Sequence, residues 1–307
     1  MKSQLIQSFI DKHKLDNGFS LLALKWFKPI AELIAGHQKR EGRPFFVGLN
    51  GSQGSGKSTL TDFIKHYLTD KYELNVAVVS LDDFYLSQET RQHLANTIHP
   101  LFKTRGVPGT HDTVLMQQVL TDLQQQKIGI ALPRFNKAID NPFPQSEWPL
   151  VNEKVDLVIL EGWCWGTLPQ LPEQLTEAVN DLEKNEDNAA VWRTYVNAQL
   201  AESYVPLYQF MDFWLMLKAP SFDCVSAWRT QQEHKLLAAS AGGDTSGVMT
   251  DQQVQRFIQH YQRLTEQSLV TLPNSADVVV SLDENRKITG ISGQQQAQLQ
   301  QLVEGEV

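Results

Sequence analysis

Residues 44–60 read PFFVGLNGSQGSGKSTL, and no other stretch narrows the choice of fold as much. An apolar run from Phe45 to Leu49 enters Gly51-Ser52-Gln53-Gly54-Ser55-Gly56-Lys57-Ser58, which fits G-x-x-x-x-G-K-[ST]. Leu60, Phe63, Ile64, Tyr67 and Leu68 follow at the spacing of one helix face. Strand, glycine loop and helix thus come in the order that a phosphate-binding loop requires. The glycines let backbone N–H groups curl around phosphate oxygens with no Cβ in the way. The new helix offers its positive N-terminal end to the same phosphates. Lys57 is suited to the β- and γ-phosphates of a nucleotide, and Ser58 to a Mg²⁺ ion.

The rest of the chain supplies matching parts. Val76 to Ser80 is a short β-branched run, read as a second strand, and Val155 to Leu160 reads as a third. Phe213 to Leu217 reads as a fourth strand and Ala276 to Leu282 as the last. Between them, Asp112 can cap a helix carrying Leu115, Met116, Val119, Leu120 and Leu123. Thr250-Asp251-Gln252-Gln253 has the capping-box pattern and opens a helix through Val254, Phe257, Ile258, Tyr261 and Leu264. This alternation predicts an α/β fold: a P-loop NTPase-type parallel sheet with helices on both faces.

Residues 1–43 are expected to form an N-terminal helical extension packed on the core. Leu5, Ile6, Phe9 and Ile10 make one apolar stripe, and Phe27, Ile30, Leu33 and Ile34 another, with Pro29 near a first turn. Gly42-Arg43-Pro44 marks the boundary, and 44–307 reads as one phosphotransfer domain. It carries an insertion at about 166–212, whose first part is acidic, and a lid region at about 225–250. The lid region includes the small, glycine-rich stretch Ala238 to Gly247.

Bulk properties remove some classes. A formal charge of −8 argues against a nucleic-acid partner held mainly through phosphates. No apolar run approaches the roughly 20 residues of a membrane span, so no membrane partner is expected. Cys164 and Cys224, without metal-type spacing, fit a reducing cytoplasm. Oligomeric state leaves no mark in the sequence.

Phosphoryl transfer also needs a carboxylate near the metal, a group to orient the nucleophile and positive charge on the moving phosphoryl. Ligands of open parallel sheets bind beyond the C-terminal strand ends. The second strand ends in Ser80-Leu81-Asp82-Asp83-Phe84-Tyr85. Asp82 there is read as a general base or orienting group, and Asp83 as its support or a cap. Glu161, at the end of the third strand, is read as the Mg²⁺-side carboxylate. Arg229, Gln232 and Lys235 share one face of a helix from about Phe222, and Arg229 there is suited to cover a phosphoryl group. The loops 104–112 and 133–137 mix cations with turn residues, which suits a small anion and equally suits an ordinary surface loop. Asn136-Lys137-Ala138-Ile139-Asp140 nearly matches the guanine-reading N-K-x-D pattern, but Ile139 stands where that pattern has its acid, which speaks against a GTPase.

GSQGSGKS, SLDDFYL, RGVPGTHD, PRFNKA, ILEGW and the WRTQQE helix occur in an order that resembles plant-type D-glycerate 3-kinases. It also resembles the wider group of uridine kinase, phosphoribulokinase and pantothenate kinase. The likeness runs from about residue 44 to about 290. It implies that Gly51, Gly54, Gly56, Lys57, Ser58 and Thr59 hold nucleotide phosphates, that Asp82 is the base, and that Glu161 is the acid after the third strand. It makes Arg229 a lid arginine. Arg105, His111, Asp112, Arg134 and Lys137 then belong to acceptor loops, and Asp83 and Tyr85 lie in the same region.

The expectation is an ATP- and Mg²⁺-dependent kinase for a small hydroxy acid, D-glycerate first. Another small acceptor (a nucleoside, pantothenate or a sugar phosphate) on the same machinery is the first alternative. A P-loop regulatory protein that phosphorylates no metabolite is the second.

Overall fold

In the computed structural model, residues 9–13, 18–239 and 249–304 are described. Leu5 and Ile6, the Lys235 side chain and most of the glycine-rich stretch 238–247 lie outside those residues. A six-stranded sheet forms the centre, from β1 (Phe45–Gly51), β2 (Val76–Ser80), β3 (Leu157–Gly162), β4 (Phe213–Lys218), β5 (Val278–Leu282) and β6 (Ile288–Ser292). The spatial order is β6-β5-β4-β1-β3-β2. β1 to β5 run parallel, and β6 returns antiparallel to β5. That sixth strand was not expected, because Ile288 to Ser292 is only half-buried and offers no apolar run.

β1 is buried along its whole length, as a central parallel strand must be. Alternate side chains leave on opposite faces. Phe45 meets His37 and Phe213, whereas Phe46 meets Phe210, so β1 is covered from both sides. His37 belongs to helix α1 (Lys28–Glu41), whose Ile30, Ala31 and Ile34 are fully buried in the same core as the strands. Ahead of α1, Phe9 stacks on Phe19 and sets its edge against Phe63, which brings the N-terminal residues onto the next helix.

That helix, α2 (Lys57–Tyr72), buries Leu60, Phe63, Ile64, Tyr67 and Leu68 against the sheet, the face the spacing predicts. Gly56 in left-handed conformation starts it. After β2 come α3 (Gln88–Thr97) and α4 (Thr113–Gln124). Asp112 caps α4 by accepting from the Leu115 amide at 2.9 Å. Two short antiparallel pairs, Ile130–Ala131 with Leu150–Val151 and Phe135–Asn136 with Asn141–Pro142, build the loop region between α4 and β3.

The segment between β3 and β4 is largely helical and includes α5 (Val191–Gln199). Buried ion pairs fasten it. Arg193 bonds Asp187 at 3.0 Å, and Arg263 bonds Glu183 at 2.6 Å. Arg263 lies on α7 (Asp251–Thr271), which opens with the expected capping box at Thr250 and Gln253. α6 (Phe222–Ala239) precedes α7, and α8 (Gln296–Glu304) ends the described chain against α1. No helix of the described residues is long and apolar enough to cross a membrane.

Candidate active site

Three strand ends and three helices meet at one pocket of about 650 Å³. The β2–β3 register pairs Ser80 with Glu161, so the two strands deliver polar groups at the same height. Ser80 Oγ donates to Glu161 Oε1 at 2.9 Å. The other carboxylate oxygen, Oε2, is buried without a hydrogen-bond partner and lies 3.7 Å from Lys57 Nζ. Lys57 and Ser58 open α2 and line the same pocket, with Gln53 and Gly54 from the loop. The Ser52 and Ser55 hydroxyls of the same loop are buried without hydrogen-bond partners.

These residues fit a nucleotide phosphate. The loop crest at Gly54 has φ +76°, and a Cβ there would come within 2.8 Å of Trp228 Cβ, so glycine is required. A lysine, loop residues and a helix N-terminus face one space. They also fit Mg²⁺ bound through phosphate. Hard oxygen donors, Ser58 and Glu161, are at hand. Among the described residues no cluster of three or more His, Cys, Asp or Glu forms an all-protein metal cage.

Asp82 and Asp83 occupy the turn after β2 and diverge. Asp82 lines the pocket, receives Tyr85 Oη at 2.9 Å on one oxygen and Lys137 Nζ at 2.7 Å on the other. Burial pushes its carboxyl upward, but the charges of Lys137 and Lys57 and these hydrogen bonds outweigh that and hold it at about 2. Asp83 faces away, and burial raises its carboxyl above the usual range despite the charge of Arg134. It accepts from Arg134 and from the Phe135 amide, both at 3.2 Å. Asp83 therefore supports the 133–137 loop that carries Lys137.

The pocket does not gather every residue that the sequence pointed to. Arg134 does not join the pocket of the phosphate loop. Paired with Asp83, it lines a separate hollow of about 670 Å³ along the outer edge of β2. Asp112 spends a carboxylate oxygen as the α4 cap, which leaves it a structural role. His111 also stays out of the pocket lining. It is buried, with Nδ1 2.6 Å from the Tyr204 hydroxyl, and its ring stacks on Tyr85 at 4.5 Å. Burial lowers its pKa to about 3, so the ring is neutral and acts as backing for Tyr85. Thr59, in the first turn of α2, is half-buried and outside the lining.

Arg105, by contrast, does enter the pocket. Its guanidinium bonds Asp140 and lies 5.9 Å from the Tyr85 ring centre and 5.5 Å from that of Phe135. Its carbonyl accepts from Tyr261 Oη at 3.0 Å. Next to it, Gly106 (φ +138°) packs so tightly that a Cβ would fall 2.3 Å from that same Oη. Arg229, on α6, bonds the buried Glu233 and sits 5.7 Å from the Phe257 ring centre.

The family model of the KAP family P-loop domain matches residues 25–186. "Uncharacterized kinase mug58" of Schizosaccharomyces pombe is 34% identical over 271 residues, which covers 84% of this chain and 94% of that protein. The chain belongs to the P-loop kinases. Within this family it is similar to chloroplastic D-glycerate 3-kinase of Arabidopsis thaliana, 29% identical over 79% of this chain and 53% of the plant protein. The solved structure of D-glycerate 3-kinase from Cryptococcus neoformans superposes with a TM-score of 0.72 at 26% identity. That match covers 87% of this chain and 98% of the other.

Several lining residues of this P-loop kinase escaped sequence reasoning. Trp163 follows β3 by one residue and donates from Nε1 to the Gly106 carbonyl at 3.0 Å. It meets Tyr261 edge-on at 4.8 Å. Phe257 and Tyr261 were read as core positions of α7, and the pocket wall is made of them. Ser80 was read only as a strand end. The family motif ILEGW runs up to Trp163 and was the one available signal for it.

Proposed function

We propose that this ATP-dependent P-loop kinase transfers the γ-phosphoryl group of ATP to a hydroxyl of D-glycerate, giving 3-phosphoglycerate. The observation that carries the reading is the pocket composition. The phosphate loop shares one space with Asp82, Arg105 and Lys137, two cations suited to an acceptor carboxylate, between aromatic walls. Kinship with D-glycerate 3-kinases supports the same acceptor.

Lys57 and the loop amides bind the β- and γ-phosphates. Ser58 and Glu161 would hold Mg²⁺, which supplies charge neutralisation on those phosphates. Asp82 accepts the hydrogen bond of the attacking hydroxyl and orients it. Held near pKa 2 by Lys137 and Lys57, it stays ionised to orient the hydroxyl but is a weak base. An acceptor carboxylate that draws Lys137 toward itself raises the basicity of Asp82 at the moment the hydroxyl arrives. Arg105 offers a planar fork for the same carboxylate. Arg229, turned from Glu233 toward the phosphates, adds positive charge in the transition state.

The deciding experiment is acceptor-dependent ADP formation with Mg-ATP and D-glycerate, with L-glycerate, uridine and pantothenate in parallel. Stimulation by D-glycerate and not by the others is expected. Stimulation by uridine or pantothenate instead replaces the acceptor while keeping the kinase. ATP hydrolysis indifferent to all four favours a regulatory ATPase.

A further inference from the structure

Arg286 does not itself line the pocket, yet it bonds two elements that do. It sits in the turn between β5 and β6. Asp283 organises this turn by accepting from the amides of Asn285 and Lys287, both at 2.8 Å. Arg286 itself has φ +64°, a left-handed conformation that a side chain other than glycine adopts at some cost. Strain held at a position whose side chain does something specific is the pattern of a functional constraint.

That side chain makes three contacts. Nε donates to the Gly54 carbonyl at the crest of the phosphate loop at 2.7 Å. Nη2 donates to Gln231 Oε1 on α6 at 3.0 Å. The guanidinium carbon lies 5.1 Å from the ring centre of Trp228, also on α6. Trp228 is fully buried, and its indole N–H donates back to the Glu284 carbonyl of the same turn at 2.6 Å. Gly54 packs directly beneath Trp228. One guanidinium thus ties the loop crest to the helix whose next residue is Arg229 and whose Gln232 also lines the pocket.

We infer that Arg286 is a positioning residue for phosphoryl transfer, fixing the phosphate-loop crest and the Arg229-bearing helix relative to each other. The planar fork is what the task needs: one edge serves a carbonyl, the other a side-chain amide, and the face covers an indole. Lysine offers a point charge without the rigid planar fork, so it cannot hold the same three partners in fixed geometry. The inference rests on ATP-dependent phosphotransfer and not on which acceptor is used.

The test is Arg286→Met and Arg286→Lys in the full chain. Both variants leave the backbone requirement unchanged. MgATP binding is measured by calorimetry, turnover with the best acceptor of the panel, and thermal stability alongside. Loss of a charge-assisted bond to the crest is expected to weaken MgATP binding about tenfold in Arg286→Met, with Arg286→Lys in between. In an Arg229→Ala background the further loss of kcat from Arg286→Met is expected to shrink to less than about twofold, since both act through one element. MgATP affinity unchanged in both folded variants overturns the inference. So does a loss of kcat that multiplies fully with that of Arg229→Ala. If Arg286→Met fails to fold, the same two readings on Arg286→Lys decide. Because binding needs no acceptor, a wrong acceptor assignment leaves this result intact.

Discussion

Lys137 Nζ sits 2.7 Å from the Asp82 carboxylate, so a cation of the 133–137 loop holds the group best placed to meet the attacking hydroxyl. Removing that cation changes Asp82 in a defined direction. In Lys137→Met the carboxyl loses its strongest counter-charge and its pKa rises from about 2. The acidic limb of the kcat/KM profile is expected to move to higher pH. KM for an acidic acceptor is expected to rise about tenfold, while KM for ATP moves little. Steady-state kinetics between pH 4 and 8 check both.

Asp82→Asn keeps the size of the side chain and removes its charge. A loss of kcat of about 10²- to 10⁴-fold is expected for a general base. A loss under about tenfold would restrict Asp82 to orienting the acceptor. Lys57→Ala is expected to abolish most transfer with an unchanged circular dichroism spectrum, and near-normal turnover would remove the phosphate-loop assignment.

Arg229→Ala is expected to lower kcat by about 10³-fold, the range of an arginine that covers a transferring phosphoryl. KM for the acceptor should change far less. Glu233→Gln frees the arginine from its buried partner, and a smaller kcat change there separates the two roles.

Arg134→Ala gives the opposite test. Its partner is Asp83, and its hollow is not the pocket of the phosphate loop. KM for ATP and for the acceptor are expected to stay within about twofold. Stability should fall by no more than about 1 kcal/mol, as for a partly exposed ion pair. A selective rise in KM for an acid acceptor would return Arg134 to the acceptor site.

Stability should fall as the solution is acidified. His111 and His260 ordinarily titrate near 6.5, and burial lowers them to about 3 and about 4. Between those values and 6.5 the unfolded chain binds more protons than the folded one, so acid favours unfolding. Asp82 adds the same sign lower down, between its ordinary 3.8 and about 2. Melting temperatures at pH 7.5, 6 and 5 should decrease in order. His111→Gln is expected to flatten that dependence.

How far the chain could be read depended on distance along it. The phosphate loop was legible because strand, loop and helix lie within 30 residues and each has its own local signal. Asp82 and Glu161 were legible because an acid at the end of an apolar strand has one place to go in a parallel sheet. Arg134 and Lys137 looked alike in sequence, two cations in one turn-rich loop. Only the fold shows one bonded to Asp83 and the other to Asp82. Phe257 and Tyr261 were hidden by their own regularity, since an apolar helix stripe predicts burial and does not say whether a pocket lies beneath it. Arg286 gave no signal, because its partners are 232 and 55 residues away.

Gly106 and Tyr261 lie more than 150 residues apart, yet their fit leaves no room for a Cβ between them. The loop that carries Arg105 and the helix that carries Tyr261 are therefore not exchangeable parts. Transplanting residues 104–112 from a relative without glycine at position 106 would drive a Cβ into the Tyr261 ring. Chimeras meant to redirect this pocket should therefore be cut so that loop and helix come from the same parent.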